Sequence, residues 1–280
     1  MPAMSLPEYE LFAIRYAHRP ARRRDHFMFG DPHDGPMDMD YFVWVAKGPQ
    51  RSFVIDLGFS EETASRRNRR LLRCPVESLR LVGLEPQAVT DVIITHMHYD
   101  HAGNFKLVPN AMIHMQEPEI HMAVGRHIRH HFMAHGYEVE DVVDVVRANF
   151  AKRVMFYTDR ADLAPGVSVE PTPGHTPGQQ VVKVHTKRGW VVLVSDAAHY
   201  YENIRSGKPY PACASLPDLL ESNERILALA GGRFDRLVPG HDPLVLQMYP
   251  PVSEELRGAV HRLDAEPDMR VFEAHWQSLQ

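Results

Sequence analysis

Cysteine is nearly missing from this chain of 280 residues, which has only Cys74 and Cys213. Two thiols cannot build a disulfide framework, and both are expected to be free in a reducing compartment. Long apolar runs are missing too. No window approaches the roughly 18 uninterrupted apolar residues that a membrane span needs, so no membrane partner is expected. The N-terminus, MPAMSLPEYELFAIRYAHRP, has early acidic residues and no apolar core. It does not read as a signal peptide, and the expected location is cytoplasmic. Neither sign of charge dominates: a formal net charge of −5 gives nucleic acid no strong hold. No repeat or low-complexity tract is visible. Apolar (44%) and charged (24%) contents are those of a globular chain long enough to bury a full-sized core.

Histidine, by contrast, is plentiful, with 18 copies. The stretch VIITHMHYDHAGN (92–104) opens as an apolar strand and then sets His96, His98, Asp100 and His101 within six positions. Such groups are costly to bury unless something compensates them. One tetrahedral zinc takes four ligands, but adjacent residues such as Asp100 and His101 rarely aim at the same ion as the preceding pair. Two metals served by one loop fit better. Three later residues end strands in the same way: His175 in PTPGHTPGQQ, Asp196 in GWVVLVSDAAH and His241 in DRLVPGHDP. The C-terminal tips of strands are the usual place for a site in α/β architectures. Five His and two Asp, with one shared carboxylate, suit two metals about 3.5–4 Å apart.

Elements read from the pattern place these motifs. EYELFAIRYA (8–17) is a strand, followed by a Pro/Gly/Asp-rich loop over 18–40, expected to cover the site. YFVWVAK and RSFVIDLG form a hairpin, and 61–84 has helical spacing broken near Pro75. TDVIITH is a strand with a short helix from His101, then comes the strand AMIHMQ, and 118–149 forms one or two helices. VMFYT, GVSVEPT, QQVVKVHT and GWVVLVSD are strands, and 216–230 is an amphipathic helix. DRLVPGH is a last short strand, and 252–264 a closing helix. The alternation predicts an α/β (α+β) chain, with two mixed sheets packed together, helices outside, and a single domain over 1–280.

With the motif H-x-H-x-D-H followed by His175, Asp196 and His241, the chain resembles the metallo-β-lactamase superfamily over residues 40–245. The resemblance implies an αββα sandwich with a dinuclear metal site on one edge. It implies that His96, His98 and His175 hold the first metal, that Asp100, His101 and His241 hold the second, and that Asp196 bridges. Asp56, in VIDLG, would support the ligand loop from behind. The metals would be two divalent ions, Zn2+ as first choice, with Mn, Fe or Co as alternatives.

Within the superfamily the chain resembles the N-acyl homoserine lactonase-like branch. The shared features are the short C-terminus, the PGHTPG turn and the helical insertion at 118–149. The implied reaction is lactone opening by a metal-bridging hydroxide, with Asp100 passing the proton on. Hydrolysis of a cyclic amide, ester or thioester is the nearest alternative, and an iron-dependent persulfide dioxygenase-like activity a more remote one. That branch places Tyr three residues after the bridging Asp, but here His199 stands there, followed by Tyr200. His199 is expected to contact the substrate, with a shifted Tyr200 or a plain pocket-lining role for both as the alternatives. Phe27, Met28 and Phe29, with Met37 and Met39, are expected to offer apolar contact to a small-molecule lactone, or else to plug the core or a homodimer contact.

Overall fold

The computed structural model describes residues 6–29 and 34–279. Residues 30–33 of the expected 18–40 loop lie outside the described residues, as do 1–5 and 280. In chain order the strands are β1 (Glu10–Arg19), β2 (Met39–Lys47), β3 (Ser52–Ile55), β4 (Arg70–Leu71), β5 (Asp91–Ile93), β6 (Met112–Gln116), β7 (Val154–Tyr157), β8 (Ala161–Ala164), β9 (Val167–Pro171), β10 (Gln180–Thr186), β11 (Gly189–Ser195), β12 (Leu237–Pro239) and β13 (Val260–Arg262). The helices are α1 (Glu61–Arg66), α2 (Glu117–Val124), α3 (His131–Ala134), α4 (Val139–Phe150), α5 (Tyr201–Ser206), α6 (Leu216–Leu229), α7 (Leu244–Met248) and α8 (Met269–Gln277). Among the described residues the strands make two mixed sheets. One runs β13-β1-β2-β3-β5-β6-β7 with β4 beside β1, the other β12-β11-β10-β9-β8.

Period-2 alternation explains the layering. In β2, Phe42, Trp44 and Ala46 face the second sheet and pack with Val169, Val182 and Leu193. Tyr41, Val43 and Val45 face the opposite way, toward helices and loops, with Ile113 and Val145. Successive strand side chains point to opposite faces, so a strand apolar at every position must be covered on both. Trp44 is fully buried, and its removal is expected to cost about 3–5 kcal/mol.

Several expectations change here. Segment 252–264 forms no helix; β13 lies in it and pairs with β1, with Ile14 opposite Val260. The closing helix is α8 instead. No helix starts at His101, because the backbone is drawn off by the loop after β3: Leu57 N donates to His101 O and Gly103 N to Gly58 O. Between 61 and 84 only α1 and a 3-10 turn (Glu77–Val82) are helical, with β4 between them. The insertion at 118–149 holds α2, α3 and most of α4.

Asp141 of α4 provides a pH probe. Burial, reinforced by Glu138 and Asp144, raises its carboxyl to about 7. The folded state therefore keeps a proton that the unfolded chain loses near 3.8, and stability falls as pH rises between those values. Asp141→Asn should be more stable than the parent at pH 8 by about 1 kcal/mol, with the gap closing near pH 4. Thermal melts of both proteins across that range check this.

Candidate metal centre

Each candidate ligand sits just past a strand tip, and the backbone there is unusual. Asp56, after β3, has φ 62°, and Ser195, at the end of β11, has φ 48°. Left-handed backbone costs a non-glycine residue roughly 1–2 kcal/mol, so packing must impose it. The bend at Ser195 carries the chain from β11 into the bridging position. Gly240 is the matching close approach, because a Cβ there would meet Asp196 Oδ1 at 2.5 Å. A Cβ on Gly136 would meet the His98 ring at 2.3 Å, which fixes glycine beside that imidazole.

The structure brings all seven predicted ligands together, in two groups. His96, His98 and His175 form one, and Asp100, His101, Asp196 and His241 the other; within each, the ligand atoms lie within 4.8 Å of one another. Asp196 stands between them. Its Oδ2 is 3.5 Å from His175 Nε2 and 4.0 Å from His96 Nε2. Its Oδ1 is 3.1 Å from His241 Nε2 and 3.3 Å from His101 Nε2. Asp100 Oδ2 approaches His241 Nε2 at 3.6 Å and His101 Nε2 at 3.7 Å.

A ring of outer partners fixes the imidazoles. His241 Nδ1 donates to Asp40 O (2.9 Å) and His175 Nδ1 to Ala212 O (2.6 Å). His101 Nδ1 donates to Asp56 Oδ2 (2.7 Å), and Asp56 also accepts from Thr95 N and Thr95 Oγ1. Glu119 of α2 clamps two ligand loops at once, accepting from Met97 N and Gly178 N, both at 2.8 Å. Such partners set the tautomer and orientation of metal-bound imidazoles.

The donor set itself calls for cations. With Nδ1–H committed to a carbonyl, the Nε2 lone pair of His175 points at His96 Nε2 and Asp196, while His101 and His241 crowd their Nε2 atoms against Asp196. His175 Nε2 and His96 Nε2 are 3.1 Å apart. His101 Nε2 and Asp196 Oδ1 are buried without a hydrogen-bond partner among the described residues. Lone pairs facing lone pairs repel unless a cation lies between them. The residues fit two divalent ions.

The electrostatics agree. Burial holds His96 and His98 well below the usual imidazole range, aided by neighbouring imidazoles, and takes His175 down to about 4. These rings are neutral, as ligands must be. Burial opposes the charge on Asp196, but His241, His101 and His199 outweigh it and hold the carboxyl well below its usual range.

His98, Asp100, His175, Asp196 and His241 line the floor of a cavity of about 480 Å³, walled by Met39, Tyr41, Met122, Phe132, Met133 and Tyr137 among others. Four expected contacts do not line it, among them Met37, whose Sδ lies 3.9 Å from Arg23 Nη1. Phe27 is buried under the Arg23 guanidinium, 5.0 Å from its ring centroid, so it plugs the core. Met28 is held by its backbone N–H on Pro209 O, and Phe29 is 99% exposed. Tyr200 is turned away too, donating to Asp38 O with His26 Nε2 3.1 Å off. His199 does line the cavity, with Nε2 3.1 Å from Asp196 Oδ2. Its ring stacks on Tyr210 at 3.7 Å between centroids, and Tyr210 OH donates to Asp196 O. Sequence reasoning missed Tyr210, Glu119 and the carbonyls of Asp40 and Ala212.

A family model described as the metallo-beta-lactamase superfamily matches residues 39–241. An N-acyl homoserine lactonase from Bacillus sp is 30% identical over 136 residues, 48% of this chain and 49% of that protein. The N-acyl homoserine lactonase AttM of Azorhizobium caulinodans is 27% identical over 183 residues, 60% of this chain and 64% of that one. The chain thus spans about half the length of the Bacillus relative it matches. Among solved structures, a quorum-quenching N-acyl homoserine lactone lactonase superposes with TM-score 0.71 at 22% identity, covering 85% of this chain and 94% of the other. AidC, a dizinc quorum-quenching lactonase, gives 0.66 at 18%, covering 86% and 90%. At these identities the likeness is one of fold. With the family model spanning the core of both sheets and every ligand position filled, this chain belongs to the metallo-beta-lactamase superfamily.

Proposed function

We propose that the chain is a dinuclear metal-dependent hydrolase that opens the ring of a small lactone, in the manner its N-acyl homoserine lactonase relatives are named for. One observation carries this reading: two groups of buried N/O donors share Asp196 at the floor of a partly apolar cavity. His96, His98 and His175 would hold one cation, Asp100, His101 and His241 the other, with Asp196 between them. The nitrogen and carboxylate donors suit Zn2+ first, with Mn, Fe or Co able to take the same places. Held there, such ions polarise a carbonyl and make water nucleophilic at neutral pH.

The chain's own groups do the rest. Asp56 and the carbonyls of Asp40 and Ala212 hold the imidazoles in register for the reacting centre. Asp100, at the cavity floor, is placed to take a proton and return it to the leaving oxygen. The apolar wall offers room for the ring and its substituent while limiting water. The free thiols Cys74 and Cys213 suit a reducing, cytoplasmic setting.

His199 Nε2, buried at the cavity wall 3.1 Å from Asp196 Oδ2, is poised to hydrogen-bond the substrate carbonyl oxygen. His199→Phe keeps the stack on Tyr210 and removes the nitrogen. The expected result is a fall in kcat of about 10²-fold with two metals retained per chain. Loss of metal in that variant would make His199 a ligand instead, as its closeness to His175 and Asp196 permits. The reading as a whole is tested by giving zinc-loaded protein a panel of lactones, cyclic amides, esters and thioesters. Lactones should turn over fastest. Turnover of thioesters or amides alone would move the assignment to those substrates, and oxygen consumption with one iron per chain would replace hydrolysis altogether.

A further inference from the structure

The pairing of β4 with β1 lies beside a cavity wall that carries two arginines. Ala17 lies opposite Leu71 and His18 opposite Arg70. Arg19 is the last residue of β1, and Arg69 directly precedes β4 with its N–H held by Ala64 O. Both arginines line the same cavity as the metal ligands. Two cationic side chains on one cavity wall favour an anion beside them.

Three nearby arginines are neutralised. Arg15 pairs with Asp40, and Arg66 and Arg67 share Glu138 at 2.8 and 2.6 Å. Arg19 and Arg69 have no carboxylate at ion-pair distance among the described residues. Arg19 Nη1 reaches only Met39 Sδ, at 3.8 Å. Arg69 donates from Nε to Tyr99 OH (3.0 Å) and from Nη1 to Arg67 O (2.8 Å), which orients the guanidinium without neutralising it. The carboxylate whose charge Arg69 feels is Asp100, which belongs to the metal centre. With two dications bound, Asp100 and Asp196 leave the cavity floor cationic as well.

We infer that the substrate carries an anionic group, a carboxylate in its simplest form, which Arg19 and Arg69 bind while its ring carbonyl faces the metals. The guanidinium fork matches a carboxylate bidentately, and an anion between the two arginines removes their mutual repulsion. The inference rests on the hydrolytic reading and narrows it: the preferred lactone is a charged one rather than a neutral acylated one.

The test pairs 5-oxotetrahydrofuran-2-carboxylate with its methyl ester as substrates of zinc-loaded protein. Wild type should favour the carboxylate in kcat/KM by about tenfold, the scale of one charge-assisted hydrogen bond. That ratio should collapse toward one in Arg19→Met and Arg69→Met and survive in part in Arg19→Lys. A ratio near one in wild type, or an unchanged ratio in both Met variants, overturns the inference. Hydrolysis of neither compound counts against the hydrolytic reading alone. Calorimetry with tetrahydrofuran-2-carboxylate, which has no ring carbonyl to open, then decides the anion site. Its Kd should weaken about tenfold in the Met variants, whereas equal Kd values in all proteins would mean that only the metals bind it. Arg19→Met should melt close to the wild-type temperature, because among the described residues Arg19 makes no ion pair and only a 3.8 Å contact to Met39 Sδ. A clear fall in Tm would assign Arg19 to the fold and overturn its role here.

Discussion

Replacing Asp196 with Ala should lower kcat/KM by about 10³-fold, equivalent to roughly 4 kcal/mol of lost transition-state stabilisation. Metal content should drop below two ions per chain in the same variant. Among the described residues no other carboxylate faces both donor groups: its two oxygens lie between 3.1 and 4.0 Å from the Nε2 atoms of His241, His101, His175 and His96. Without it, those imidazoles lose the negative charge that makes two neighbouring dications tolerable. Asp196→Asn separates charge from shape, since the amide keeps the volume and one acceptor. It should resemble the Ala variant in metal content if charge is what matters. Elemental analysis beside steady-state kinetics on all three proteins checks both statements.

Acid should strip the metals and then the fold. His175 titrates near 4 in the folded chain against 6.5 when free, and His96 and His98 are also held well below 6.5. As pH falls through 6.5 the unfolded chain takes up these protons while the folded chain cannot. Each such group therefore subtracts stability at up to about 1.4 kcal/mol per pH unit, in a window running from about 6.5 down to about 4 for His175. His101 and His241 run the other way. Burial disfavours their charge, but Asp196, aided by Asp56 for His101 and by Asp100 for both, raises them above 6.5 in metal-free protein. Protonation then helps the apo fold as pH falls toward neutrality, but it competes with metal for the same nitrogens. Bound metal favours only the folded state, adding about 4 kcal/mol when free metal is a thousandfold above Kd. Chelation at pH 7 should therefore lower Tm by several degrees, and the gap between chelated and metal-loaded protein should narrow at pH 5.5, where protons compete for His101 and His241. Melts with and without chelator at both values are the check. A Tm indifferent to chelation would leave the donor groups without the cations they require.

The grouping of the His and Asp side chains was legible because the signal is local: each follows an apolar strand, and strand direction alone carries them to one edge. The sheets were legible for a related reason, as runs such as YFVWVAK and GWVVLVS must be covered on both faces. What escaped was set by contacts distant in sequence. Segment 252–264 has helical spacing, yet β13 is claimed by β1, about 245 residues earlier, which leaves the amphipathic pattern at 269–277 as the closing helix. Phe27 reads as a flexible apolar contact but is fixed under Arg23, whose guanidinium pairs with Glu202. Glu119 carries no sign in EPEIH that it would receive the backbone N–H groups of Met97 and Gly178. Tyr210 was missed because its stacking partner His199 is eleven positions away, across α5.

The most direct measurement is anomalous diffraction at the zinc edge from crystals grown with zinc. Two peaks of comparable height should appear about 3.5–4 Å apart. One should sit among the ring nitrogens of His96, His98 and His175, the other among Asp100, His101 and His241, with Asp196 touching both. A map with no peak there, or a single peak that leaves Asp100 and His241 facing solvent, would contradict the account.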